Sequence, residues 1–230
     1  MATVTTVSSK VDLSTCSVRE LNHQLHAPGA EAYEVLHPQG AHAIAAGVRH
    51  PITVDVHGHA GYYCAGMNDG GTITVHGSVG TGVAENMMSG TVRVRGDASQ
   101  SAGATGHGGL LVIDGSASMR CGISMKGIDI VVGGDIGPMS AFMAQAGRLV
   151  VCGDAGDALG DSIYEARIYV RGKVSSLGAD CVEKPMRAEH LTELAGLLGA
   201  AHLDHDPSEF RRYGSARKLY HFAAHNSHSY

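Results

Sequence analysis

Apolar residues recur along the middle of the chain in pairs separated by one residue, and the pairs return every nineteen residues. Val54 and Val56 open the series, and Ile73/Val75, Val92/Val94, Leu111/Ile113, Ile130/Val132, Leu149/Val151 and Ile168/Val170 continue it. Two residues after each pair stands a glycine: Gly58, Gly77, Gly96, Gly115, Gly134, Gly153 and Gly172. The residue inside each pair is mixed, running Asp55, Thr74, Arg93, Val112, Val131, Val150 and Tyr169. Alternate side chains of an extended chain face opposite ways, so each repeat predicts one short strand with a strict inward face and a tolerant outward face. On this reading Val94→Asp is predicted to unfold the chain and Arg93→Asp to be mild. Two residues beyond each glycine the apolar character returns, as Ala60, Val79, Ala98, Ala117, Ile136, Ala155 and Val174, which predicts a second short wall after a corner.

The glycine itself is read as the corner residue, needed where the chain leaves the strand in a conformation that would clash with a Cβ. Further glycine corners at Gly70-Gly71, Gly90, Gly108-Gly109, Gly127 and Gly147 imply more than one bend per repeat, with Gly127 one residue early. A period of nineteen lacks the L-x-x-L-x-L of a leucine-rich horseshoe, is no multiple of six, and is about half a propeller blade. The fold class predicted is all-β: a right-handed parallel β-helix of about seven 19-residue coils, each lying about 4.8 Å from the next, with short helical caps at both ends.

A solenoid must cover the strand edges at its two ends. Residues 1–50 are read as an amino-terminal segment in which Ser17 and Glu20 have capping-box spacing and Val18, Leu21 and Leu25 make one apolar helical stripe. Residues 33–50 fit a degenerate first coil whose register slips by a residue. The β-helix is assigned to 51–184, and 185–230 to a helix starting near Pro185 with Leu191, Leu194, Leu197 and Leu198 on its apolar side, followed by a docking tail.

Composition sharpens this picture in few places. Thirty-two glycines in 230 residues without a G-X-Y period indicate repeated turns. A net charge of −5 gives no cationic field for nucleic acid or an anionic membrane, and no apolar run approaches a membrane span. The amino terminus lacks a signal-peptide pattern, so a cytoplasmic protein with reduced thiols is expected; the five cysteines are odd in number and form no C-x-x-C pair. His57, His59 and His76 invite a metal, but the next residue in the His57/His76 column is Arg95, and an exposed polar ladder is the expected role. Asp154, Asp157 and Asp161 suggest a calcium loop, yet Asp97 and Asp135 share the post-glycine position of Asp154, which favours turn chemistry. The "GGDIG" at 133–137 has no room for a following helix, and "HGG" at 107–109 has no nucleophile elbow to serve. Cys64 and Cys121 share a column but lie three coils apart, too far for a disulfide. No catalytic, cofactor-binding or metal residue is assigned.

The runs "GYYCAGMNDG", "TITVHGSVGTGVAENMMSG", "GATGHGGLLVIDGSASMRCGISMKGIDIVVGG", "MSAFMAQAGRLVVCGDAGDALGDSIYEARIYVRG" and "LGADCVEKPM" resemble the GXGXG domain family. That family includes the carboxy-terminal β-helix of the glutamate synthase large chain and a subunit of formylmethanofuran dehydrogenase. With its amino-terminal "VDLSTCSVRELNHQLH" and closing "FRRYGSARKLYHF", the chain is similar over nearly its whole length to the stand-alone β-helix subunit of N-methylglutamate synthase. The resemblance implies a structural subunit without catalytic residues in a hetero-oligomer, joined to an amidotransferase-like subunit and to a glutamate synthase-like subunit that carries FMN and an iron–sulfur cluster. A different glutamate-synthase-type or formylmethanofuran dehydrogenase-type complex, or an independent ligand-binding β-helix, is the alternative.

Overall fold

The computed structural model describes residues 7–217. One sheet of eleven strands runs through the chain, in the order β1-β2-β3-β4-β5-β6-β7-β8-β9-β11-β10. Here β1 is Ser8–Asp12, β2 Ala32–Leu36, β3 Thr53–His57, β4 Asp69–Val75, β5 Ser89–Val94, β6 Leu110–Ile113, β7 Lys126–Val132, β8 Ala146–Val151 and β9 Arg167–Val170. β1 to β9 pair in parallel, and from β3 onward the pairs of apolar residues lie directly over one another: Val54 on Ile73, Ile73 on Val92, and so to Leu149 on Ile168. All fourteen paired residues are fully buried. The second wall is a file of single bridges, Ala60 to Val79, Ala98, Ala117, Ile136, Ala155 and Val174. The β-solenoid is therefore as the repeat predicts, and it starts earlier. Tyr33 sits against Val54 at a spacing of twenty-one, so the first coil carries two extra residues rather than one.

The third wall was not legible from the apolar pattern. Five, seven and nine residues after each repeat glycine from Gly58 to Gly153 the backbone has positive φ, whatever the residue. Tyr63, Ala65 and Met67 do so in one coil and Met139, Ala141 and Met143 in another, while Gly82, Gly103, Gly122 and Gly160 fill only some of the positions. The alternation turns successive N–H groups in opposite directions along the axis. Ser101 N donates forward to Met119 O (3.0 Å), Gly103 N backward to Val83 O (2.8 Å), and Thr105 N forward to Ile123 O (2.9 Å). Left-handed backbone costs an L-residue about 1–2 kcal/mol, and pairing with both neighbouring coils holds it in place.

The repeat glycine has a different cause from the one expected. Of the seven, only Gly58 has positive φ. The others are glycine because the previous coil stands too close: a Cβ on Gly77 would lie 2.7 Å from the Gly58 backbone, and one on Gly115, Gly153 or Gly172 would collide with the carboxylate of Asp97, Asp135 or Asp154. From Gly96 onward each glycine N–H donates to the glycine carbonyl one coil earlier, as Gly115 to Gly96 at 3.1 Å and Gly134 to Gly115 at 2.8 Å. Gly127 has φ of 148°, at a register irregularity between β7 and β8, which accounts for its early place in the count.

The ends are closed by unlike devices. Helix α1 (Val18–His26) has the predicted capping box between Ser17 and Glu20, and buries Leu21 and Leu25 in the main core. Asn22 Nδ2 donates to Ala43 O at 2.8 Å, and His26 Nε2 reaches Ala46 O at 2.8 Å, so α1 satisfies carbonyls that no earlier coil covers. At the far end β11 (Arg211–Ser215) pairs antiparallel with both β9 and β10 (Cys181–Lys184). Part of the expected docking tail thus docks on its own solenoid, with Tyr213 in the main core; residues 218–230 of that tail lie outside the described residues. Helix α2 (Ala188–Ala200) does not sit over the end. It lies along the outer face of the sheet, burying Leu194, Leu197 and Leu198, with Leu191 half-buried, against Val112, Val131, Val150 and Tyr169. Among the described residues no helix is long and apolar enough to cross a membrane.

The outward column is accordingly tolerant only at its start, and the expectation for Arg93 is corrected. Arg93 is 13% exposed, its Nη2 donates to Asp114 Oδ1 at 2.6 Å and its Nη1 to Ala201 O, just past the end of α2, at 2.9 Å. Arg93→Asp sets a carboxylate against Asp114 and frees the end of α2, and is expected to cost about 2–3 kcal/mol, measured by urea unfolding. Two further substitutions test the coil geometry. Gly115→Ala is expected to lose about 1–3 kcal/mol through collision with the previous coil. Ser124→Gly, at φ of 51°, should gain about 1 kcal/mol by relieving left-handed strain.

Candidate functional site on the outer faces

The residue after each repeat glycine points out of the corner, and in six successive coils it can accept a hydrogen bond. It uses that capacity on the equivalent backbone N–H of the next coil. His59 Nδ1 accepts from Ser78 N (2.9 Å), Ser78 Oγ from Asp97 N (3.1 Å), and Asp97 Oδ1 from Ser116 N (2.8 Å). Ser116 Oγ accepts from Asp135 N (3.1 Å), Asp135 Oδ1 from Asp154 N (2.7 Å), and Asp154 Oδ1 from Lys173 N (2.7 Å). Lys173 has no acceptor, and the ladder ends there. His, Ser and Asp are interchangeable in this column because each presents a short-reach acceptor.

This ladder absorbs some of the residues that sequence reasoning singled out for chemistry, His59 among them. Asp154 belongs to it; Asp157 accepts from Ser176 Oγ at 3.1 Å, and Asp161 from Ser162 Oγ at 2.8 Å and Ala179 N at 3.3 Å. Asp135 places "GGDIG" in the same ladder. His57 and His76 stack at 5.1 Å between ring centroids with planes 5° apart, and His76 Nε2 meets Asp55 Oδ1 at 2.7 Å. Parallel rings present their faces to each other, so their nitrogens do not converge on one point. Among the described residues no group of three or more His, Cys, Asp or Glu is placed to hold a metal ion.

The cysteines are free, and Cys64 and Cys121 are fully buried in the core; burial pushes both thiols up to about 12. Burial raises Cys152 and Cys181 to about 11, and half-buried Cys16 is raised by burial and then by Glu20.

A charged cluster fastens α2 to the sheet. Glu193 accepts from Tyr169 Oη at 2.6 Å and Arg167 Nη1 at 2.8 Å, while Arg148 Nε lies 3.0 Å from Asp129 Oδ1 and 3.6 Å from Glu193. Burial alone would raise the pKa of Glu193, and the Tyr169 and Arg167 bonds bring it below the usual carboxylate value. Asp129 goes the other way, because burial outweighs Arg148. The cluster sits under a helix and serves attachment. Its signal in the sequence was the change of the outward column from Asp55, Thr74 and Arg93 to Val112, Val131, Val150 and Tyr169, which marks a covered surface. Sequence reasoning also passed over a groove along α1 that borders Arg19, Asn22, His26 and Arg49.

With this geometry in view, comparison with curated proteins finds Protein GlxC of Rhizobium meliloti (strain 1021), 65% identical over 225 residues, covering 96% of this chain and 99% of that protein. The chain belongs to the GlxC family. No protein-family model matches it. At such identity over nearly full length, the GlxC relative is expected to share the coil count and both end closures.

For this GlxC-family chain, a thiol reagent under native conditions should modify at most Cys16, and all five cysteines after denaturation. Rapid native reaction of more than one thiol would contradict the burial of the other four.

Proposed function

We propose that the chain is the non-catalytic β-helix subunit of a glutamate-synthase-like complex, N-methylglutamate synthase, which converts glutamate and methylamine to N-methylglutamate and ammonia. In this reading one partner is amidotransferase-like, and the other is glutamate synthase-like and carries FMN and an iron–sulfur cluster. The observation that carries the proposal is the commitment of the outward polar column to coil-to-coil bonding, in a chain whose long motifs resemble the GXGXG domain and whose relative is GlxC. A solenoid tied to itself along three walls is a stiff object. Nine parallel strands, about 4.8 Å apart, set a length of about 38 Å. Partners attached to it keep a fixed separation and orientation, which lets a small amine pass between their sites without leaving for bulk solvent.

Co-expression of the three chains tests this. The expected result is co-elution of this chain with an FMN-containing partner, and methylamine-dependent formation of N-methylglutamate that collapses when this chain is omitted. Elution of this chain alone, or undiminished product formation by the other two without it, would overturn the proposal.

A further inference from the structure

A groove of about 840 Å³ follows α1, bordered by Arg19, Asn22 and His23, and a second of about 590 Å³ shares Asn22 and His26 with it and reaches Arg49, His50 and Met67. Together they form one channel between α1 and the third wall of the first coils. Its charge is opposite to that of the molecule: the chain carries −5 overall, yet the channel presents two arginines and three histidines. Arg19 and Arg49 are exposed and have no hydrogen bond or ion pair among the described residues. The acid that borders the channel, Glu20, is held by Ser17 N at 2.8 Å and Ser17 Oγ at 2.7 Å in the capping box.

Two further features bear on the occupant. Asn22 Oδ1 is buried below solvent contact without a donor, so it stays out of an occupant's reach and the two arginines set the charge that is recognised. Met67, 56% exposed, borders the channel and offers an apolar contact. At about 840 and 590 Å³, the two grooves are roomier than a free amino acid would need, and small-molecule sites enclose most of their ligand. We infer that this channel docks an extended acidic segment of a partner chain, whose carboxylates take Arg19 and Arg49. The inference rests on the assembly reading above, because it requires a partner.

The test uses the full chain and a fluorescein-labelled oligoglutamate peptide containing one leucine, followed by fluorescence anisotropy. Arg19→Glu with Arg49→Glu is expected to weaken binding about tenfold or more, as loss and reversal of two ion pairs implies. Arg120→Glu with Lys126→Glu, the same charge change on exposed residues of a later coil, should leave it unchanged. Free glutamate at millimolar concentration should not displace the peptide. No binding, equal weakening in both double variants, or displacement by free glutamate would overturn the inference. Peptide binding by a chain that never co-elutes with an FMN-containing partner defeats the assembly reading and leaves the channel's chemistry standing. A trio that assembles around a chain indifferent to the peptide defeats the channel alone.

Discussion

Every feature of this chain answers to one constraint: each coil must bring its backbone within hydrogen-bonding distance of the next, at every corner as well as along the strands. Apolar burial fills the axis, but it sets no spacing. The spacing comes from the N–H to C=O bonds between coils, and these reach even the repeat glycines, where Gly153 N meets Gly134 O at 3.0 Å. Once that separation is fixed, the space between corners is smaller than a methyl group, and glycine follows. The third wall obeys the same rule in another way. It pairs forward and backward only if alternate residues turn left-handed, so alanine, serine and methionine are held there against their own preference. Local strain is tolerated because buried, unpaired backbone would cost more.

A stack with this translational repeat has no internal reason to stop. Its ends are where the sequence departs from nineteen, and the two departures differ in kind. At the start, the carbonyls of the third wall face outward along the axis, and α1 offers them Asn22 and His26. At the finish, β11 is inserted antiparallel between β9 and β10, so the parallel ladder is interrupted one strand before the edge. Helix α2 then turns one side of the outer sheet face into a second small core, tied by Glu193 and Arg93. The molecule is left with a wet face over the early coils and a covered face over the later ones, so its long sides are not equivalent to an approaching partner.

How much of this could be read beforehand follows from what repeats. The inward columns were legible because burial demands β-branched or aliphatic residues at a strict interval, and fourteen positions all comply. The glycine column was legible as a column but not in its cause: sequence shows that a side chain is excluded, and cannot distinguish exclusion by φ from exclusion by a neighbouring coil. The third wall escaped because left-handed positions here accept Tyr63, Arg120 and Met143 as readily as glycine, so no residue type marks them. The acceptor ladder escaped for a related reason. His59, Ser78 and Asp97 look unlike one another until the donor they share, the next coil's N–H, is seen. Placement of α2 needed contacts more than a hundred residues apart, such as Arg93 to Ala201, for which the local pattern carries only the hint of an outward column turning apolar.

The same repeat that makes the fold legible limits where recognition can occur. Along the body of the solenoid, the outward acceptors of the corner column are already bonded to the following coil, and a ligand that competed for them would have to loosen the stack. Groups left with unused capacity are those that have no following or preceding coil. The two arginines beside α1 are of this kind, and so is Lys173 at the ladder's last step. Binding energy from a partner can be drawn from such groups without disturbing the coil spacing. A solenoid built this way is rigid because its body is bonded to itself, while its ends keep polar groups uncommitted.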